Sequence, residues 1–342
     1  MIIETPTQPS PGTYPDGSVG TVRNWDGHIW TDEVIADASV TALPPWKRRP
    51  FALFGHRWFQ IAAGGYLLGL ILAVAENQTK AAWLGWFAGV GTLTVGVGFV
   101  MLARQRLHLS EVVSVWAIVG WGLLGGVVGV AVAIAVEGQI DTRVLHLGDS
   151  PLATFGTGLA EEFGKLLVPV ILYFVGRYRD PRAGFAIAVG SGTAFGIIEG
   201  LQFTGLAAGT STPGAVIVMA AQRPLIELLH PILTGFVAAV AWQAARRRGH
   251  FFTGAAIGAF VIAVAVHTGS DLIGTASEIV GGFTAPVIII ASYYLGYRRQ
   301  SKQLVPPDAV AVNPPGWRPS PPKHPAPAAA IAGGTAPPSA LT

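Results

Sequence analysis

The chain has 342 residues, 51% hydrophobic and only 12% charged, with a mean hydropathy of +0.50. That composition excludes an ordinary soluble globule and predicts an all-α polytopic membrane protein. There is no cysteine, which excludes disulfides, a thiol nucleophile and a cysteine-based metal site, and the net charge of +3 is better explained by membrane topology than by nucleic acid.

Residues 1–12 read as a disordered leader. The segment 13–35 follows, with Tyr14, Trp25-Asp26-Gly27 and Trp30. Asp26-Gly27 between two β-prone runs is a hairpin signal and predicts a very small β-rich unit. This stretch resembles the short Trp-Asp-Gly domain, of unknown function, found at the ends of many actinobacterial membrane proteins. The resemblance implies no chemistry, and an aromatic mini-core or a tag for a protein partner accounts for it. The first fifty residues are polar and Pro-rich, so no cleavable signal peptide is expected and insertion begins at an internal helix. Residues 36–57 form a linker ending in the basic cluster Lys47, Arg48, Arg49 and Arg57.

About eight apolar segments follow within 58–300, near 58–75, 82–103, 111–136, 152–175, 183–205, 222–245, 251–273 and 279–297. Each is long enough to cross a bilayer as a helix, and their Gly and Ala content suits close helix packing in lipid. With the N-terminus inside, the inner loops hold fifteen lysines and arginines between Lys47 and Lys302, and the outer loops hold three, Lys80, Arg143 and Arg223. The positive-inside rule therefore predicts that both termini are cytoplasmic. Residues 301–342 are Pro- and Ala-rich without periodicity and read as a disordered tail.

The fourth segment interrupts its apolar run with Glu161, Glu162 and Lys165. Charge within a membrane is costly, so these residues are candidates for function; a purely structural ion pair is the alternative. Spacing places Glu161 and Lys165 at i and i+4 on one face, with Glu162 the freer carboxylate. The remaining interior polar residues all lie on the next three segments. They are Glu199, then Glu227 and His230, then His267 and Asp271. At 1.5 Å per residue, Glu161, Glu199, His230 and His267 reach depths of about 14, 9, 12 and 9 Å from the outer edge. Four helices thus converge at one level.

Two histidines and a carboxylate with an open position make a catalytic zinc set, here Glu199, His230 and His267. Glu161 or Glu162 is then the general base on water, with a preference for Glu162. Asp271, one turn beyond His267, can take its second ring N–H. Glu227 is divided between supporting His230 and pairing with Arg223.

The ordered set Glu161-Glu162-x-x-Lys165, Phe195-x-x-x-Glu199, His230 and His267-x-x-x-Asp271 resembles the PrsW family of intramembrane proteases, itself similar to the CAAX prenyl endopeptidase superfamily. The resemblance spans about 150–275. It implies a helical intramembrane protease with Glu161, Glu162, Glu199, His230 and His267 at the active site. It also implies a divalent metal, zinc above all, and a membrane-protein substrate such as an anti-sigma factor. For the wider superfamily a metal-free mechanism is also argued, in which a glutamate activates water while His267 and Asp271 stabilise the oxyanion. Two other classes compete. A Glu/His/Asp chain is also the pattern of a proton-coupled transporter or channel, although matched broken segments in the two halves are lacking. A catalytically inactive scaffold is the other.

Overall fold

The computed structural model describes residues 12–15, 21–25, 30–36, 52–139, 150–210, 212, 214–276 and 278–304. The expected leader, the Asp26-Gly27 turn, most of the basic linker, the loop holding Arg143 and nearly all of the Pro/Ala tail lie outside the described residues.

The chain divides into two units. In the first, β1 (Gly12–Pro15), β2 (Thr21–Trp25) and β3 (Trp30–Ala36) pair antiparallel in that order. Trp25 lies opposite Trp30 in the register.

The second unit is helical, and its described residues hold no strand. Its helices are α1 (Arg57–Thr79), α2 (Ala82–Ala88), α3 (Val90–Arg106), α4 (Val115–Gln139) and α5 (Pro151–Phe174), then α6 (Pro181–Ala208), α7 (Ala215–Ile226), α8 (Leu229–Arg248), α9 (Gly254–Ala276) and α10 (Glu278–Ala291). After α10 the helix runs on as a π turn, Ser292–Tyr297, and a short α11, Arg298–Ser301. Capping fixes the key starts. Ser150 accepts from the Ala153 N–H ahead of Pro151, and Asp180 accepts from the Arg182 and Ala183 N–H groups ahead of Pro181.

Among the described residues six stretches are long and apolar enough to cross a membrane: α1, α2 into α3, most of α4, α6, α7 into α8, and most of α9. Eight apolar segments were expected. The two others fall short for physical reasons: α5 carries three charged residues near its middle, and α10 is regular for only 14 residues before the π turn. Two further expectations of unbroken helices are corrected. The segment near 82–103 turns at Gly89, and that near 222–245 is two helices parted at Glu227–Leu228.

The organising element is α6, which packs against α4, α8, α3 and α5. Its spanning stretch is 78% buried against 17% for α1, so α6 is the axis and α1 the rim. Small residues permit this. A Cβ on Gly164 of α5 would lie 2.9 Å from the Cα of Gly129 on α4, so the two backbones touch one residue before Lys165.

Candidate active site

The site is built on two proline-disturbed helices and the two that face them. Pro169 in α5 has no N–H to give the carbonyl of Lys165, four residues earlier. Ser191 of α6 supplies the missing donor, its hydroxyl bonding that carbonyl at 2.6 Å. Pro231 likewise leaves the Glu227 carbonyl without its helical donor, and the His230 N–H reaches it instead at 3.3 Å. That tighter turn separates α7 from α8 and places Glu227 and His230 together. Gly196 of α6 lies beneath them: a Cβ there would come within 2.8 Å of the Glu227 carbonyl oxygen and 3.0 Å of the His230 ring.

Around this frame the four helices bring their polar side chains into one cluster. Lys165 Nζ lies 2.8 Å from Glu162 Oε1, 3.5 Å from Glu161 Oε2 and 2.8 Å from His230 Nδ1. His267 Nδ1 lies 2.8 Å from Glu162 Oε1, and its Nε2 lies 3.4 Å from Glu161 Oε2. His230 Nε2 makes a 2.9 Å hydrogen bond with Glu227 Oε2 and lies 2.8 Å from Glu199 Oε2. The two imidazole rings meet edge to face at 5.1 Å, and Phe195 packs on His230 at 5.0 Å while lying under the Lys165 ammonium. Every site residue expected from the sequence is therefore in or against the cluster.

Its internal pairing differs from the helical-wheel expectation. Glu162, expected to be the freer carboxylate, is the more tightly engaged, because i+3 is as near as i+4 on a helix and His267 of α9 holds the same oxygen. Asp271 is 3.5 Å from His267 Nε2, whereas the closer carboxylate contact of that ring is Glu162 at Nδ1. Glu227 takes both of its expected parts, pairing with Arg223 at 2.9 Å and with His230. Beyond the expected pair with Glu227, Arg223 makes two contacts that the sequence does not foretell. It stacks on Phe203 at 3.4 Å and lies 3.8 Å from Glu199, bridging two carboxylates. Its i+4 spacing to Glu227 was the signal for that pair; Ser191 gave none.

Exposure rises across the cluster. Glu162 and Lys165 side chains are 0% exposed, Glu199 is 21% and Asp271 is 40%, so access is from the Glu199–Asp271 side.

A cation suits the donor set. Four largely buried carboxylates, Glu161, Glu162, Glu199 and Glu227, face two permanent cations, Lys165 and Arg223, an excess of negative charge that is costly unless compensated. Glu161 Oε2, Glu162 Oε2 and Glu199 Oε2 are buried without a hydrogen-bond donor. Two groups of ligand atoms lie within 4.8 Å of one another: Glu161, His230 and His267, and Glu199, Glu227 and His230. The expected trio of Glu199, His230 and His267 is split between them, because His230 faces Glu199 with one nitrogen and the His267 side with the other.

A family model described as PrsW family intramembrane metalloprotease matches residues 112–296, more than half of the chain. The chain belongs to the PrsW family. No curated protein and no solved structure matches it. The PrsW match runs from α4 into the π turn and so takes in every residue of the cluster; it does not reach the N-terminal strands. As a PrsW protein the chain is a multi-pass membrane peptidase, and its buried Glu/His/His group can hold a metal.

Proposed function

We propose that this protein is an eight-crossing endopeptidase of the bacterial inner membrane with cytoplasmic termini. On this reading it cuts a membrane protein, an anti-sigma factor among the candidates, near the outer face of the membrane. The carrying observation is the buried cluster itself: two histidines and a set of carboxylates from four helices, with access from the Glu199–Asp271 side. The α5 and α10–α11 segments complete the eight crossings, α5 because its three charged side chains are buried against the bundle and away from lipid.

In this reading Glu161, His230 and His267 hold a divalent cation, zinc by the chemistry of the set. The tautomers favour this group over the other. Lys165 sits on the Nδ1 side of His230, which marks that nitrogen as the lone pair, while Nε2–H is directed to Glu227. His267 directs its Nδ1–H to Glu162, leaving Nε2 for the cation. Each ring is thus oriented by a carboxylate behind it, as metal-bound histidines usually are. When bound, the cation would acidify water and polarise the scissile carbonyl.

Glu199 is the proton acceptor in this arrangement. Its side chain is 21% exposed, the most open of the four glutamates, its Oε2 lies 2.8 Å from His230 Nε2, and Arg223 beside it holds its position. Glu162, buried and engaged by Lys165 and His267, is a positioning residue. Lys165 lies against the His230 lone pair and the Glu161 oxygen that a cation would need, so its place in a metal-bound site would be on Glu162. A glutamate-only reaction is the second reading, supported by the ammonium already lodged among Glu161, Glu162 and His230. Cleavage of a tagged single-span protein in detergent, with and without a chelator, tests the proposal. Chelation should abolish cleavage by the wild type. Unchanged cleavage would replace the metal reading with the glutamate-only one, and no cleavage under any condition, metal-loaded or not, would favour the proton-relay or scaffold alternatives.

A further inference from the structure

A second polar site lies far along the chain from the catalytic cluster, where α3 ends against the π turn and α11. A cavity of about 90 Å³ there is lined by Arg106, Arg298 and Lys302 together with Tyr293, Tyr297 and Ser301. None of the three cations has an ion pair among the described residues. Tyr297 is 4% exposed, and its hydroxyl is buried with no hydrogen-bond partner. A buried hydroxyl without a partner is uncommon and asks for an acceptor. The π turn, a form that recurs at functional sites, brings Tyr293 and Tyr297 into a stack at 5.5 Å; Ser301 and the pair Arg298 and Lys302 continue the same face. Phe99 and Leu102 give the cavity an apolar wall.

Three cations without counter-ions among the described residues, set beside an apolar wall, together describe an anionic amphiphile. The level in the membrane points the same way. Arg106 is the last residue of the span Ala82–Arg106, so the cavity lies at headgroup depth, where basic pockets between helices bind anionic lipid headgroups. We infer that this cavity binds the phosphodiester headgroup of an anionic lipid and so anchors the end of α3 to the last helix. The inference needs only that the chain spans a membrane, and it does not depend on the chemistry of the catalytic cluster; the proposed topology adds that the lipid belongs to the inner leaflet.

The test is native mass spectrometry of the full chain released from detergent containing equal phosphatidylglycerol and phosphatidylcholine. Wild type should retain phosphatidylglycerol preferentially. Arg106→Gln with Lys302→Gln should lower that preference by about tenfold or more, from about fivefold for each surface cation removed. Arg246→Gln with Arg247→Gln makes the same charge change at the end of α8 and should leave the preference intact. Equal loss in the α8 variant would mean a diffuse basic surface and overturn the site. Unfolding measured in lipid-free detergent with millimolar inorganic phosphate separates the sources. No shift is expected; a stabilisation lost in Arg106→Gln with Lys302→Gln would make free phosphate the ligand and overturn the lipid assignment.

Discussion

At the residue scale the decisive contacts are those of Lys165. Its ammonium is fully buried and touches Glu162, Glu161 and His230. Removing one partner of a buried pair leaves an uncompensated charge, at a cost of about 3–5 kcal/mol. Lys165→Met should therefore lose about that much stability in a detergent unfolding assay. Glu162→Gln, which removes one negative charge from a cluster with an excess of them, should lose less. Equal losses would show that water reaches the pair. Ser191→Ala makes a smaller and separate prediction. It strips the Lys165 carbonyl of the donor that compensates for Pro169, and an unmet buried acceptor costs about 1–3 kcal/mol. An unfolding temperature equal to wild type would mean that the carbonyl finds another donor. The identity of these residues was legible, because three charges in an apolar run stand out against their surroundings. Their pairing was not. Whether Lys165 rests on Glu161 or Glu162 is decided by His267, more than a hundred positions away and on another helix.

At the element scale the site depends on the interruption between α7 and α8. A continuous helix would carry Glu227 and His230 on a regular spiral. The break, caused by the N–H that Pro231 lacks, draws the His230 N–H onto the Glu227 carbonyl and packs both against α6. The close approach there is set by Gly196. Gly196→Ala would push a Cβ to 2.8 Å from the Glu227 carbonyl oxygen, and backbone cannot yield as a flexible side chain can. The expected cost is about 1–3 kcal/mol of stability, with cleavage falling further than stability because His230 is displaced. Activity and unfolding temperature measured on the same preparation check this, and full activity would remove the break from the mechanism. Pro224 and Pro231 were visible in the sequence, yet the segment reads as one span because hydropathy is blind to an interruption of two residues. The turn at Gly89 was missed for the same reason. Long helices with strong apolar character, such as α1, α4 and α9, were legible almost to their ends.

At the scale of the whole molecule the helical unit is a bundle threaded on α6, with the charged face of α5 packed against α4, α6 and α9 and its other face exposed. Reporter fusions after residues 180 and 248 should read inside and one after 210 outside; an outside reading at 180 would invert the bundle and move the site to the other face. The central claim is that Glu161, His230 and His267 hold the metal while Glu199 moves the proton. Metal content of purified variants tests it most directly, with cleavage read on the same samples. His230→Ala and His267→Ala should each lose bound metal. Glu199→Gln should keep it while cleavage falls by about 10²–10⁴-fold, the usual scale for a general base. A full complement of metal in His267→Ala, with metal lost from Glu199→Gln, would contradict the account and assign the cation to Glu199, Glu227 and His230 instead.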